Sequence, residues 1–162
     1  MREEDRVRGS RVVVGVGNPL RRDDGAGVWV ARQLAGAPGW VTIPAGLALE
    51  NVIGKIEKLP PKLVVVVDAA ELGLPPGEFR RLPWEWRGRM LASTHGLPLE
   101  LVLGRLSQEV ENLELVGIQP GELGWGEGLS PQVAAGAQRL VELLLSGRWR
   151  DIPLCRLPPR PG

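Results

Sequence analysis

The stretch VVVGVGNPLRRDDGAGVWVA, residues 12–31, contains a strand-like opening, a tight turn and the start of a helical pattern. Its opening is short, β-branched and bounded by glycine, which is typical of a parallel strand covered on both faces. The turn carries Asn18 and two adjacent carboxylates, Asp23 and Asp24, just before the helical pattern at Gly25. A nucleotide-binding turn presents glycines and backbone N–H groups to a phosphate, and GVGNPL lacks the third glycine at its proper spacing. A nucleotide site is therefore not expected here.

The same order of strand, turn and helix repeats along the chain. Strands are predicted at 11–16, 40–45, 63–68, 77–82 and 113–119, and helices at 25–34, 49–59, 97–108 and 131–147. LVVVVD at 63–68 is the most hydrophobic strand and is expected at the centre of the sheet, whereas GEFRRL at 77–82 is more polar and suits an edge. Ser130 is the expected N-cap of the last helix. The alternation predicts an α/β protein with three layers, α/β/α.

Composition narrows the class of protein. The 162 residues fit one domain, assigned to 1–147, followed by a proline-rich tail at 148–162 that we expect to be extended or mobile. The formal net charge of +1 argues against a nucleic-acid or membrane-surface partner, since either would favour a basic field. No apolar run approaches the roughly 20 residues that cross a bilayer, and the start has no signal-peptide pattern. The single Cys155 excludes an internal disulfide. We expect a soluble, cytoplasmic protein.

Three polar residues follow the predicted strands or precede a helix at one edge of the sheet. Ligands of open α/β sheets collect beyond the carboxyl ends of the parallel strands, and this rule selects Asp24, Asp68 and His95. Each has an alternative interpretation. Asp23 or Asp24 could cap the following helix, Asp68 could be bonded to N–H groups at its strand end, and His95 could be a partly buried polar residue. Their convergence on one rim favours a shared function.

Two carboxylates that converge repel each other. At a separation of about 5 Å and an effective dielectric near 20, the repulsion is roughly 3 kcal/mol. A divalent cation removes it, and two carboxylates with one imidazole suit nickel or zinc. A proton shared between the two acids is the alternative, and it would suit acid–base chemistry.

Four segments, in order and with matching spacing, resemble the [NiFe]-hydrogenase maturation endopeptidases. They are GVGNPLRRDDGAG (15–27), LVVVVDAAELGLPPGE (63–78), STHGLPL (93–99) and VGIQPGELGWGEGLSP (116–131). The last two favour the branch that serves formate-hydrogenlyase-type hydrogenases. The resemblance implies a mixed, mostly parallel five-stranded sheet with one antiparallel strand, for which GEFRRL is the candidate.

The resemblance also implies a function and a site. The family removes the C-terminal extension from the precursor of the hydrogenase large subunit, and its metal-binding positions fall on Asp24, Asp68 and His95. Many relatives carry Glu at the first position, one methylene longer than Asp24. The metal is expected to be nickel carried by the precursor, although other divalent metals could occupy the site. The catalytic group is left unassigned.

Other motif residues are given supporting roles. Asn18, Asp23 and Gly25 are expected to hold the turn that presents the metal-binding carboxylate. Candidates for a substrate groove are Glu50, Asn51 and Gln119. Ordinary loop structure is an equally good interpretation of the groove candidates.

Two rival functions stay open at this point. Peptidyl-tRNA hydrolases share the VG-x-GNP opening and a related fold, but they need a histidine shortly after that motif, where this chain has RRDDGAG. They also favour a basic face for RNA. A metal-dependent chaperone that binds the same precursor without cutting it is the other alternative, because no obvious nucleophile is present.

Overall fold

The computed structural model describes residues 11–59, 61–92 and 97–156. In these residues, five strands form one sheet: β1 Arg11–Val16, β2 Trp40–Gly46, β3 Leu63–Ala69, β4 Phe79–Leu82 and β5 Asn112–Ile118. The α-helices are α1 Ala26–Gln33, α2 Val52–Lys58, α3 Leu97–Glu109 and α4 Pro131–Leu145. Short 3-10 helices lie at Arg22–Gly25, Leu49–Asn51, Trp84–Arg89 and Trp149–Asp151. No helix in the described ranges has the length and apolar character needed to cross a membrane.

The strands are ordered β2-β1-β3-β5-β4, and only the edge strand β4 runs antiparallel to its neighbour. β3 is central and every one of its residues is buried, as its hydrophobicity predicts. In β4 the two arginines are only partly buried, which an edge position permits. The predicted mixed, mostly parallel five-stranded sheet is confirmed, and GEFRRL does supply the antiparallel strand.

Alternating side chains of the strands build two cores, one on each face of the sheet. Val12 and Val14 belong to the core that includes residues of α2 and α3. Val13 belongs to the opposite core, which includes residues of α1 and α4. This period of two, with both faces covered by helices, gives the three layers that the sequence predicts.

The register of the parallel strands decides where the polar residues meet. Gly15 of β1 lies opposite Val67 of β3, and Asp68 lies opposite Gly117 of β5. The turn after β1 therefore starts at the level of Asp68. This is the carboxyl edge of the sheet, where open α/β sheets bind ligands.

The structure corrects the prediction for the tail. Trp149–Asp151 forms a 3-10 helix, and Ile152 and Cys155 are buried in the two cores. The amide of Arg81 in β4 donates to the Pro153 carbonyl at 2.8 Å, and the Cys155 amide donates to the Arg81 carbonyl at 2.7 Å. Residues 148–156 are therefore attached to the sheet edge and do not extend into solvent; 157–162 lie outside the described residues. Apolar side chains among the prolines, Ile152 above all, give the segment this attachment.

The last helix also differs in one detail. Ser130 occupies the N-cap position of α4, but its side chain makes no capping hydrogen bond. Its hydroxyl instead donates to Asp23 at 2.8 Å. The predicted N-cap is therefore confirmed in position, but the Ser130 hydroxyl bonds to the buried Asp23 carboxylate and not to the first turn of the helix.

Candidate metal-binding site

The turn after β1 folds back on itself closely enough to require glycine at position 17. Gly17 has φ +117°, a left-handed conformation that side chains rarely adopt, and a Cβ there would clash with the Asp24 carbonyl oxygen. The Gly17 amide donates to the Gly46 carbonyl at 3.1 Å, which ties the turn to the end of β2. Gly25 is likewise compact, since a Cβ on it would lie 2.7 Å from the Cα of Pro19. The turn is thus closely packed before any ligand arrives.

The two adjacent carboxylates of the turn point to different partners. They lie in the 3-10 helix Arg22–Gly25, whose first residue, Arg22, has φ +48°. Asp23 bonds to the segment 121–130, whereas Asp24 accepts a hydrogen bond from the Asn18 amide at 3.1 Å and faces Asp68. The alternative interpretation, in which one of them caps the next helix, does not hold, because neither α1 nor this 3-10 helix has a side-chain capping hydrogen bond.

Asp24 and Asp68 form a buried carboxylate pair. Asp24 is 2% exposed and Asp68 is completely buried. One oxygen of each accepts a hydrogen bond from a backbone amide. Oδ2 of Asp24 accepts from the backbone N–H of Asn18, and Oδ2 of Asp68 accepts from the backbone N–H of Ala92 at 2.8 Å. The other oxygen of each, Oδ1, is buried without a hydrogen-bond partner among the described residues. Such oxygens are costly unless a proton or a cation meets them.

The electrostatics of Asp68 agree with this geometry. Burial, and next among the raising effects the charge of Asp24, lift the pKa of Asp68 well above its usual range. Hydrogen bonds from the backbone of Ala92 and Ala69 act in the opposite direction and lower that pKa. The balance disfavours two negative charges at this place. A divalent cation would restore both charges, so the pair fits a metal by the chemistry of its donor atoms.

His95, the third predicted ligand, lies outside the described residues. Ala92, which donates to Asp68, is the last described residue before the segment that contains it. No cluster of three metal-ligating groups occurs in the rest of the described chain. The structure therefore brings together two of the three predicted ligands, and the role of His95 stays a prediction.

Asp23 joins the turn to the loop before α4. Its fully buried carboxylate accepts four hydrogen bonds: from the amides of Gly121 at 2.9 Å, Glu122 at 2.7 Å and Ser130 at 2.7 Å, and from the Ser130 hydroxyl at 2.8 Å. The supporting role of Asp23 thus has a specific form. One side chain fixes the loop 120–130 beside Asp24, the predicted metal ligand.

The predicted groove residues lie in two kinds of environment. Glu50 and Asn51 are exposed and follow β2, whose last residue, Gly46, accepts a hydrogen bond from the turn after β1. Gln119 is only 6% exposed, and its side-chain carbonyl accepts the Leu72 amide at 2.7 Å. Gln119 therefore stabilises the segment after β3, and of the three groove candidates only Glu50 and Asn51 offer surface to a partner. Their assignment to a groove stays a prediction.

The sequence does not reveal that the Ala92 amide donates to Asp68. A backbone donor leaves no signal in residue type, so only the fold could reveal it. The anchoring of 120–130 by Asp23 was also missed. Its signal was present, since the DD pair and the glycine-rich segment GELGWGEG belong to two of the four motifs.

Comparison with known proteins assigns a class to this fold and site. A family model described as HycI, hydrogenase maturation protease, matches residues 30–147. The chain therefore belongs to the hydrogenase maturation protease family. It is 38% identical over 117 residues to the Hydrogenase 3 maturation protease of Escherichia coli (strain K12), a match that covers 70% of this chain and 75% of that protein.

Solved structures agree with the assignment. A crystal structure of the Hydrogenase 3 maturation protease superposes with a TM-score of 0.81 at 29% identity, covering 93% of this chain and 99% of that one. The HycI protease of Thermococcus kodakarensis KOD1 gives 0.74 at 34% identity, with 90% and 97% covered. These matches confirm the family predicted from the four motifs, fit its formate-hydrogenlyase-type branch and identify the chain as an endopeptidase.

Proposed function

We propose that this protein removes the C-terminal extension from the precursor of a [NiFe]-hydrogenase large subunit, and that it does so after nickel has been inserted. The nickel belongs to the precursor. Asp24, Asp68 and His95 bind it when the precursor docks, so the metal identifies precursors that are ready for processing. The names of the relatives support the class of reaction, and the carboxylate pair supports the dependence on metal.

The observation that carries the proposal is the pair of unpartnered oxygens. Oδ1 of Asp24 and Oδ1 of Asp68 are buried at the carboxyl edge of the sheet, and neither has a hydrogen-bond donor among the described residues. The other oxygen of each is held by a backbone amide, which fixes the carboxylates in orientation. Two oriented, dehydrated oxygen ligands suit a divalent metal that reaches the edge from outside.

The chain's own residues then act by positioning. The turn 17–25 and the Ala92 amide hold the two carboxylates, and the precursor's metal fixes the precursor relative to them. Holding the scissile peptide in one orientation removes much of the entropic barrier to its cleavage. A precursor without nickel lacks the ligand for this site and is bound less well, which gives discrimination before any bond is cut.

An intact-mass assay tests this function. The nickel-loaded and the nickel-free precursor are each incubated with the protein, with its Asp24→Ala variant, and with Asp151→Ala as an exposed-carboxylate control. We expect the loaded precursor to lose one C-terminal peptide with the wild type and the control, but not with Asp24→Ala. Equal cleavage of nickel-free precursor would contradict metal recognition. A complex that forms without any loss of mass would instead support the chaperone alternative.

A further inference from the structure

A cleft lies on the outer side of the turn that carries Asp24. Its volume is about 390 Å³, and it is bounded by the turn, the first two turns of α1 and the segment 127–129. Its apolar walls are formed by Pro19, Leu20, Val28, Trp29 and Leu129. Leu20 is 53% exposed, a high value for a large apolar side chain in a tightly bonded turn. The cleft thus offers apolar surface to a partner.

The charged residues of the lining are unequal in sign. Arg22 and Arg32 bring two guanidinium groups, and Glu127 brings one carboxylate. In the described part of the chain, neither arginine forms an ion pair. Arg22 donates at 3.4 Å to the backbone carbonyl of Glu127, which leaves the side-chain carboxylate out of that bond. The cleft therefore favours a ligand that has an acidic group beside an apolar one.

The two walls of the cleft are fixed to each other. The Arg22 amide donates to the Gly126 carbonyl at 3.0 Å, and the Gly126 amide donates to the Leu20 carbonyl at 2.8 Å. Asp23 adds the four hydrogen bonds described above to the loop 120–130. A preformed cleft binds a ligand without the cost of ordering its own walls. Asp24 lies in the chain between two residues of the cleft lining, Arg22 and Gly25, so a polypeptide that reaches the proposed metal site would start next to this cleft.

We propose that this cleft, together with Arg32 at its rim, binds a segment of the precursor that presents an apolar side chain next to an acidic one. The inference rests on the proposed function and adds to it a second contact, separate from the metal. The metal site binds only a precursor that carries nickel, and the cleft binds a neighbouring peptide with the right apolar and acidic side chains. Two weak contacts on one rigid turn reinforce each other, since the second forms intramolecularly once the first is made.

Charge reversal at Arg32 tests the proposal away from the carboxylates. Arg32→Glu is compared with Arg32→Lys, which keeps the charge, and with Arg139→Glu, a change at another exposed arginine that lies on α4 outside the cleft. Affinity for the nickel-loaded precursor is measured by calorimetry, and KM and kcat are measured by intact mass. We expect Arg32→Glu to weaken binding and raise KM about fivefold with kcat unchanged, and the effect to shrink at high salt. Arg32→Lys and Arg139→Glu should match the wild type.

The outcomes separate this inference from the proposed function. If Arg32→Glu and Arg139→Glu have the same affinity for the precursor, the cleft does not bind it and the inference is overturned. If the wild type leaves the precursor uncut in both metal states, the proposed function fails. The affinity comparison is still decisive in that case, because it does not require cleavage. Circular dichroism of each variant confirms that the fold is retained.

Discussion

Replacing Asp23 by alanine should release the loop 120–130 from the turn that carries Asp23 and Asp24. The carboxylate is completely buried and accepts four hydrogen bonds from Gly121, Glu122 and Ser130. Alanine accepts none of them. The side chain at position 23 then no longer bonds the loop to the turn. The N–H and O–H groups that donated to Asp23 either bond to water or stay without an acceptor.

The size of the loss follows from the burial of the donors. Gly121 and Glu122 are exposed, so water can take over their amides at little cost. Ser130 is 6% exposed, and its amide and hydroxyl are left without an acceptor at about 1–3 kcal/mol each. Removing the buried Asp23 carboxylate also removes the cost of burying it, which offsets part of this loss. We expect a net loss of about 2–4 kcal/mol in the free energy of unfolding.

Urea unfolding measures the total loss of stability, and amide hydrogen exchange shows which residues lose protection. The control is Asp151→Ala, which removes an exposed carboxylate paired with Arg148 and should cost less than about 1 kcal/mol. Exchange should accelerate at the amides of 121–130 in Asp23→Ala and stay unchanged in the control. A loss of stability no larger than that of the control, or a loop whose exchange is unaltered, would refute the reasoning.

Three further substitutions test other parts of the account. Gly17→Ala should lower the free energy of unfolding by at least about 2 kcal/mol and weaken metal binding in a Cd²⁺ titration. Its control is Gly36→Ala, also at positive φ but with open space around it, which should lower the free energy of unfolding by about 1 kcal/mol. Equal losses of stability would contradict the close approach of the backbone at Gly17. In urea unfolding, Ile152→Ala should lower the free energy of unfolding by about 2–4 kcal/mol, and Leu154→Ala, at a half-exposed position, by less than about 1 kcal/mol. Equal, small losses would contradict the packing of the tail against the sheet. With metal chelated, the wild type should lose stability as pH rises above about 4, because the raised pKa of Asp68 makes the native state keep a proton that the unfolded state releases. Asp68→Asn should flatten that slope in melts from pH 4 to 8, and an unchanged slope would contradict it.

Much of the fold could be predicted because its signals are local and repeated. The β-branched runs around Val13 and Val65 alternate with amphipathic helices, and such an alternation fits few architectures other than a three-layer α/β sheet. The rule that ligands collect at the carboxyl ends of parallel strands then places Asp24 and Asp68 at one edge from the sequence alone. Their closeness follows from strand register, which the hydrophobic pattern of each strand sets.

The rest depends on contacts between distant parts of the chain. Proline content predicted a loose tail, but burial of Ile152 and backbone bonds to Arg81 override it. Similarly, residue type made Asp23 and Asp24 look equivalent, and it gave no sign that the Ser130 hydroxyl bonds to Asp23. Which carboxylate faces Asp68 depends on the positive φ of Arg22, and no propensity predicts that value for an arginine.

Nickel-edge X-ray absorption on the freeze-trapped complex would test the central claim most directly. Spectra are taken of the nickel-loaded precursor alone, with the wild-type protein, with Asp24→Ala and with the Asp151→Ala control. We expect the wild type and the control to add oxygen or nitrogen ligands to the nickel, and Asp24→Ala to add fewer. Nickel spectra that do not change when the wild-type protein binds the precursor would contradict it.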